Sequence, residues 1–230
     1  MANLDISKYS NHLEHFKISS KEIENEILSF KLTFLKTRNQ KAEWGIRFPT
    51  FLDSFYKYIY NNKKLPSQDD FLNYYLANNK KWFIENSLTN DVMLGLKARI
   101  YRTYPSLIRD LHFSKLLSET TENHEIIYNT NLDVKEGIDL LVIANKINIA
   151  VNLYTKTKRA FVGRSKKENR HNLYDNITYI ELPVEFNGSV KIGDFFLYGN
   201  REIIELESEI VKASCKVDAL SILFEGEYLK

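Results

Sequence analysis

Apolar positions in the first half of the chain recur at helical spacing. Ser19-x-x-Glu22 reads as a capping box, and Ile23, Ile27, Phe30 and Phe34 follow three or four apart, which predicts a helix over 19–36. Pro49 suits a first helical turn, and Phe51, Leu52, Phe55, Tyr58 and Ile59 supply the apolar face of a second helix. Leu65-Pro66-Ser67 restarts the chain, with Asp69 and Asp70 where the helix dipole favours acids and Phe71, Leu72, Tyr75 and Leu76 behind them. A further helix runs from about Asp91 to Tyr104, and Pro105 starts or kinks the next, through Leu107, Ile108, Leu111 and Leu116. The stripe Phe51, Phe55, Tyr58 reads as core packing. As part of a DNA-reading helical module it would draw on Lys57, Lys63, Lys64, Lys80 and Lys81, but these form no recognition helix.

Beyond His124 the period changes to two. His124–Tyr128, Ile138–Ala144, Ile147–Tyr154, Ile177–Pro183 and Lys191–Tyr198 read as strands, with Asn187-Gly188 as a turn, and residues 201–223 as a closing helix. The expected fold is α/β: a helical N-terminal region over residues 1–100, then a mixed sheet flanked by helices over 101–230. With Asn145-Lys146 at the centre of a hairpin, Leu141 faces Ala150 and Asp139 faces Asn152. Alternation then puts Asp139, Leu141, Asn152, Tyr154 and Lys156 on one face. Ile138, Leu140, Val142, Ile149, Val151 and Leu153 form a uniformly apolar face opposite, which must be buried.

Composition narrows the chemistry. The chain has 230 residues and 43% hydrophobic positions, enough for a core, and one cysteine, which excludes a disulfide framework and a Cys-based zinc site. Core packing is the reading for Cys215 in the closing helix. The 32 basic and 30 acidic residues leave +2, so a nucleic-acid surface must be local. One local run exists: Lys156, Lys158, Arg159, Arg164, Lys166, Lys167, Arg170 and His171, interrupted by a single acid, Glu168. It continues the strand that carries Asn152, and a cation cluster beside an acid-bearing sheet suits a phosphate backbone approaching a metal site. The sequence has no P-loop and no Gly-x-Gly-x-x-Gly, and the five histidines show no metal-ligand spacing. The first residues carry no signal pattern and no apolar run spans a bilayer, so a cytoplasmic protein without membrane contact is expected.

The Asp strand Gly137-Ile138-Asp139, the following strand and the basic run together resemble the PD-(D/E)XK (restriction-endonuclease-like) nuclease superfamily. The resemblance covers roughly residues 105–198. It implies a metal-dependent DNA endonuclease or DNA-processing protein of restriction, phage defence or mobile elements, cutting phosphodiesters with Mg²⁺, or Mn²⁺ in its place. Carried onto this chain, Asp139 is the metal-binding acid of the strand. Asp110 is the acid of the preceding helix, with Glu119 and Glu122 as rivals and His112 a candidate neighbour. Asn152-Leu153-Tyr154 stands where Glu-x-Lys belongs and departs at both positions, which leaves Asn152 as a neutral ligand and Lys156 as a displaced catalytic lysine. Lys158, Arg159, Arg164, Lys166, Lys167, Arg170 and His171 then contact DNA. The departures keep a second reading open, an inactive nuclease fold serving as a nucleic-acid-binding or assembly subunit. A third is a protein-interaction module. A homodimer or a larger DNA-processing complex is the expected assembly.

Overall fold

Ser19 opens the first helix with the reciprocal bonds of a capping box, its side chain accepting from Glu22 N–H while the Glu22 carboxylate accepts from Ser19 N–H. Ser67 and Asp70 repeat the device. The computed structural model describes residues 2–157 and 173–227, with side chains through residue 215. Its helices are α1 (Ser20–Ile27), α2 (Phe51–Asn62), α3 (Gln68–Asn78), α4 (Lys80–Asn86), α5 (Asn90–Thr120) and α6 (Asn200–Glu227). Its strands are β1 (Glu125–Ile127), β2 (Leu140–Ala144), β3 (Ile147–Thr155), β4 (Thr178–Val184), β5 (Val190–Ile192) and β6 (Phe195–Leu197). The fold is mixed α/β with helices leading, as expected.

The chain divides into two compact units. A sheet unit is built from Met1–His12, Leu116–Ser189 and Tyr198–Lys230, and a helical unit from Leu13–Lys115 and Val190–Leu197. Residue 100, the expected boundary, lies inside α5.

In the helical unit the aromatic stripe is core. Phe55, Phe71, Tyr75 and Tyr104 are buried, and Phe55 meets Phe71 edge to face with centroids 5.6 Å apart. The buried phenols are satisfied by carbonyls: Tyr75 donates to Pro49 O (2.9 Å) and Tyr104 to Pro66 O (2.5 Å). Burial pushes both hydroxyl pKa values up.

Three sequence expectations change in this unit. The predicted 19–36 helix stops at Ile27, because the backbone beyond it bonds elsewhere: Leu32 N–H donates to Asp194 Oδ2 (3.0 Å) and Thr33 N–H to Gln68 Oε1 (2.8 Å). Of the two readings of Pro105, a helix start is overturned, because the residue lies inside α5. Proline leaves the carbonyl four residues earlier without its helical donor, and Gln68 Nε2 fills that vacancy on Tyr101 O at 2.9 Å in the buried interior. The predicted strand 191–198 is a two-stranded hairpin, β5–β6, turned at Gly193 with φ +55°.

In the sheet unit the order is β1-β2-β3-β4, antiparallel across β1–β2 and β2–β3 and parallel across β3–β4. The edge position of β4 accommodates Pro183, and α6 packs against this strand. Leu140, Val142, Ile149, Val151, Leu182 and Val184 are buried on one face, matching the apolar face expected from alternation. Ile138 departs from it. Gly137 takes φ +72° and β2 begins only at Leu140, so Ile138 joins the opposite cluster with Leu141, Ala150, Leu132 and Ile127. The first residues of the chain cover that cluster: Leu4 belongs to it, and Ile6 and Tyr9 pack on it. Asn176 fixes Leu4 from both sides, accepting from its N–H (2.8 Å) and donating to its C=O (2.9 Å).

Candidate nuclease site at the β2–β3–β4 edge

The hairpin between β2 and β3 forms as the sequence predicts. Asn145 and Lys146 both adopt left-handed φ, +49° and +65°, the requirement of a type I′ turn. Ala144 pairs with Ile147, Leu141 with Ala150 and Leu140 with Val151. The pairing ends at Leu140–Val151, one residue short of Asp139, and Leu153 N–H donates to Asp139 Oδ2 at 2.8 Å. The carboxylate is thus held against β3 by a backbone donor.

The parallel neighbour adds a residue that sequence reading missed. Asn152 pairs with Glu181 of β4, and Asn152 Nδ2 donates to Glu181 Oε1 at 3.0 Å. Paired residues of neighbouring strands point to the same face, so Asn152 and Glu181 share one side of the sheet, and Asp139 reaches the adjoining part of β3 through Leu153 N–H. Asn152 Oδ1 is buried and accepts no hydrogen bond among the described residues. The signal for Glu181 lay in Tyr179-Ile180-Glu181-Leu182-Pro183, a lone acid in an otherwise apolar strand. Only the parallel pairing, which links positions 29 residues apart, shows what it stands beside.

Along β3 and β4 this face runs from core to water. Leu141 and Ala150 are buried, Asn152 and Glu181 are half-buried, Tyr154 pairs with Pro183, and Lys156 and Glu185 are exposed. Lys156 N–H donates to Val184 O (2.9 Å), extending the pairing, and its Nζ meets Glu185 Oε1 at 2.5 Å. That contact raises the Lys156 pKa and lowers that of Glu185. The acid therefore holds the ammonium charged and beside the strand ends.

The loop before Asp139 is pinned by Glu136, whose two oxygens accept from Tyr9 OH (2.8 Å) and Tyr174 OH (2.5 Å). Burial, then the Glu136 carboxylate, push the Tyr9 pKa up to about 12. Asn129 Oδ1 takes Asn131 N–H (2.8 Å) and Leu132 N–H (3.3 Å) at the start of the same loop.

The other anticipated residues belong to other elements or lie outside the described residues. Asp110 is on α5 in the helical unit, with Arg109 Nε 3.6 Å from its Oδ1. His112, a candidate neighbour of Asp110, is buried and directs Nε2 to Glu24 Oε1 of α1 at 3.3 Å. Burial raises the Glu24 pKa, but bonds from Lys21 and His112 outweigh it and the net shift is downward. Glu119 and Glu122 are exposed in the sheet unit. Lys158, Arg159, Arg164, Lys166, Lys167, Arg170 and His171 lie outside the described residues. Cys215, expected in the core, is exposed on α6. Among the described residues no group of three or more His, Cys, Asp and Glu side chains could hold a metal ion, so the candidate ligand set here is two carboxylates and one amide. No described helix is long and apolar enough to cross a membrane.

Comparison with known proteins agrees with the DNA-processing expectation. The family model described as TaqI restriction endonuclease matches residues 1–190, taking in the leading helices, the whole β1–β4 sheet and the Asp139–Asn152–Glu181 edge. No curated protein and no solved structure matches the chain. With 190 of 230 residues matched, the chain belongs to the TaqI restriction endonuclease family and is a restriction-endonuclease-like DNA nuclease.

Proposed function

We propose that the chain hydrolyses DNA phosphodiesters with a divalent cation, Mg²⁺ or Mn²⁺, held at the Asp139–Asn152–Glu181 edge. The observation that carries this reading is the buried Asn152 Oδ1, an acceptor with no donor among the described residues, beside the Glu181 carboxylate and next in sequence to Leu153, whose N–H holds Asp139. Oxygen donors of this kind, two charged and one neutral, fit a hard cation. When bound, such a cation polarises the scissile phosphate and eases deprotonation of the attacking water. Asp139 keeps its orientation through Leu153 N–H, so its outer oxygen is set before any ligand arrives. Glu181 supplies the charge that a neutral Asn152 lacks. Lys156 brings an ammonium to the open end of the same face, where it offsets charge developing on the phosphate, and Glu185 limits its wander. The 158–171 run is proposed to contact phosphates.

Cleavage of plasmid DNA in Mg²⁺ or Mn²⁺, beside Asp139→Ala and Glu181→Ala controls, tests the proposal. Wild type should cut, and each variant should lose cutting while still binding DNA. Cutting by Asp139→Ala refutes the site.

A second reading has its own support. Asn152 is neutral, Tyr154 stands where a lysine would, and Lys156 is engaged by Glu185. If wild type binds DNA but never cuts it under either metal, the chain is a nucleic-acid-binding or assembly subunit, working in a restriction, phage-defence or mobile-element complex.

A further inference from the structure

The segment 34–47 exposes two aromatic and four cationic side chains. Phe34 and Trp44 are 64% and 56% exposed, and Lys36, Arg38, Lys41 and Arg47 surround them in sequence. The segment has one acid, Glu43, and it is withdrawn: its side chain is 8% exposed and forms an ion pair with Arg102. Among the described residues none of the four cations makes an ion pair.

The backbone of this segment is fixed from beneath. Arg102 donates to Leu35 O (3.2 Å) and Thr37 O (2.9 Å), and Arg99 donates to Ala42 O (2.7 Å). Asn39 caps the short turn that follows, its Oδ1 accepting from Ala42 N–H (3.0 Å). Gly95 of α5 allows the close approach: a Cβ there would collide with that of Asn39 and stand 3.0 Å from that of Ala42. Two arginines are thus consumed internally to hold carbonyls, while four other cations of the strap point to water. A merely solvated basic loop needs no such anchoring, and an ordinary surface does not pair its single acid inward while leaving every cation outward.

We infer that the 34–47 strap is a DNA-binding surface of the helical unit, contacting the phosphate backbone of duplex DNA through Lys36, Arg38, Lys41 and Arg47, with Trp44 against the sugar–phosphate edge. A strap whose backbone is already held spends little main-chain freedom on binding, and each phosphate contact releases counterions. The surface shares no residue with the set proposed for cleavage or with the 158–171 run. It rests on the chain's being a DNA nuclease only for the choice of ligand.

The test uses full-length protein and a fluorescein-labelled random-sequence duplex in Ca²⁺ or EDTA, so that binding is read without cutting. Lys36→Ala, Arg38→Ala and Lys41→Ala are combined, and unchanged thermal unfolding checks the fold. Three lost phosphate contacts lower the salt slope by about 2.7, so raising salt from about 50 to about 200 mM weakens wild-type binding about 40-fold more than the variant's. In a Trp82→Phe background, Trp44 is the one remaining tryptophan, and its emission should change on titration with duplex. An unchanged affinity and slope in the triple variant, or a Trp44 signal indifferent to DNA, overturns the inference, as does a wild-type chain that does not bind duplex. A preference for a protein partner over duplex in competition does so too. The Asp139 and Glu181 cleavage controls read a different property, so either proposal can fail while the other stands.

Discussion

Asn152→Asp puts the proposed metal edge to a sharp test, because it replaces a hydrogen-bond donor by a second carboxylate. In the wild type Asn152 Nδ2 lies 3.0 Å from Glu181 Oε1. Two full charges at about 3 Å repel by about 5 kcal/mol at an effective dielectric of about 20. The cost has a ceiling, because the pair escapes by sharing a proton, which at about pH 7 costs about 4 kcal/mol for a carboxyl of ordinary pKa near 4. Both positions are half-buried, so screening trims this to about 2–4 kcal/mol, or about 5–15 °C in Tm for a chain of this size. The folded pair then has a raised pKa, so the penalty is fully present near neutrality and fades as pH falls through that pKa toward the unfolded value. A cation at the edge removes the repulsion directly. Each tenfold excess of Mg²⁺ over its Kd returns about 1.4 kcal/mol. Thermal unfolding at several pH values, with and without about 10 mM Mg²⁺, therefore separates the terms. The expected pattern is a Tm well below wild type at neutral pH, recovery on acidification, and recovery in Mg²⁺ that wild type does not match. A variant as stable as wild type and indifferent to Mg²⁺ would refute both the Asn152–Glu181 contact and the cation site.

Three further outcomes follow from other contacts. Asp139→Asn keeps an acceptor for Leu153 N–H and should leave Tm nearly unchanged while abolishing cleavage, whereas Asp139→Ala should also cost about 1–3 kcal/mol of stability by stranding that donor; equal Tm values for the two variants would contradict the bond. Tyr9 has its folded pKa raised above the unfolded value near 10, to about 12, so its stabilisation is complete below about pH 10 and disappears as pH rises through about 12. Unfolding measured from about pH 9 to about pH 12 should therefore fall less steeply for Tyr9→Phe than for wild type. Gly95→Ala gains about 1 kcal/mol of helix propensity but overpacks against Asn39 at a cost of about 1–3 kcal/mol, so calorimetry should show a net loss and duplex affinity should fall with it.

Much of the sheet was legible because its code is local. The Asn145-Lys146 turn sets the register by itself, and the expected pairing holds from Ala144–Ile147 to Leu140–Val151 without any long-range information. What was not legible depends on partners distant in sequence. Residues 28–36 have helical spacing, yet Gln68, Asp194 and Arg102 claim their backbone groups. Pro105 reads as a break until Gln68 is seen to bond to the Tyr101 carbonyl. Glu181 looks like one acid among many until parallel pairing brings it to Asn152. In each case a single side chain far along the chain reverses a sound local preference.

The strap of residues 2–12 imposes an order on biosynthesis. Leu4 bonds to Asn176, 172 positions later, and His12 N–H donates to Tyr128 O. Residues 2–12 leave the ribosome before these partners and must wait until the whole helical stretch from Leu13 to Lys115 has emerged and most of the sheet behind it. Closing a span of 172 residues costs about 4–5 kcal/mol in chain entropy, growing only with the logarithm of length. The helical unit can gather most of its contacts during that interval, whereas the sheet cluster of Leu132, Ile138, Leu141 and Ala150 stays uncovered until residues 4–9 are recaptured. That half of the sheet unit is therefore completed only when synthesis of the sheet is essentially finished.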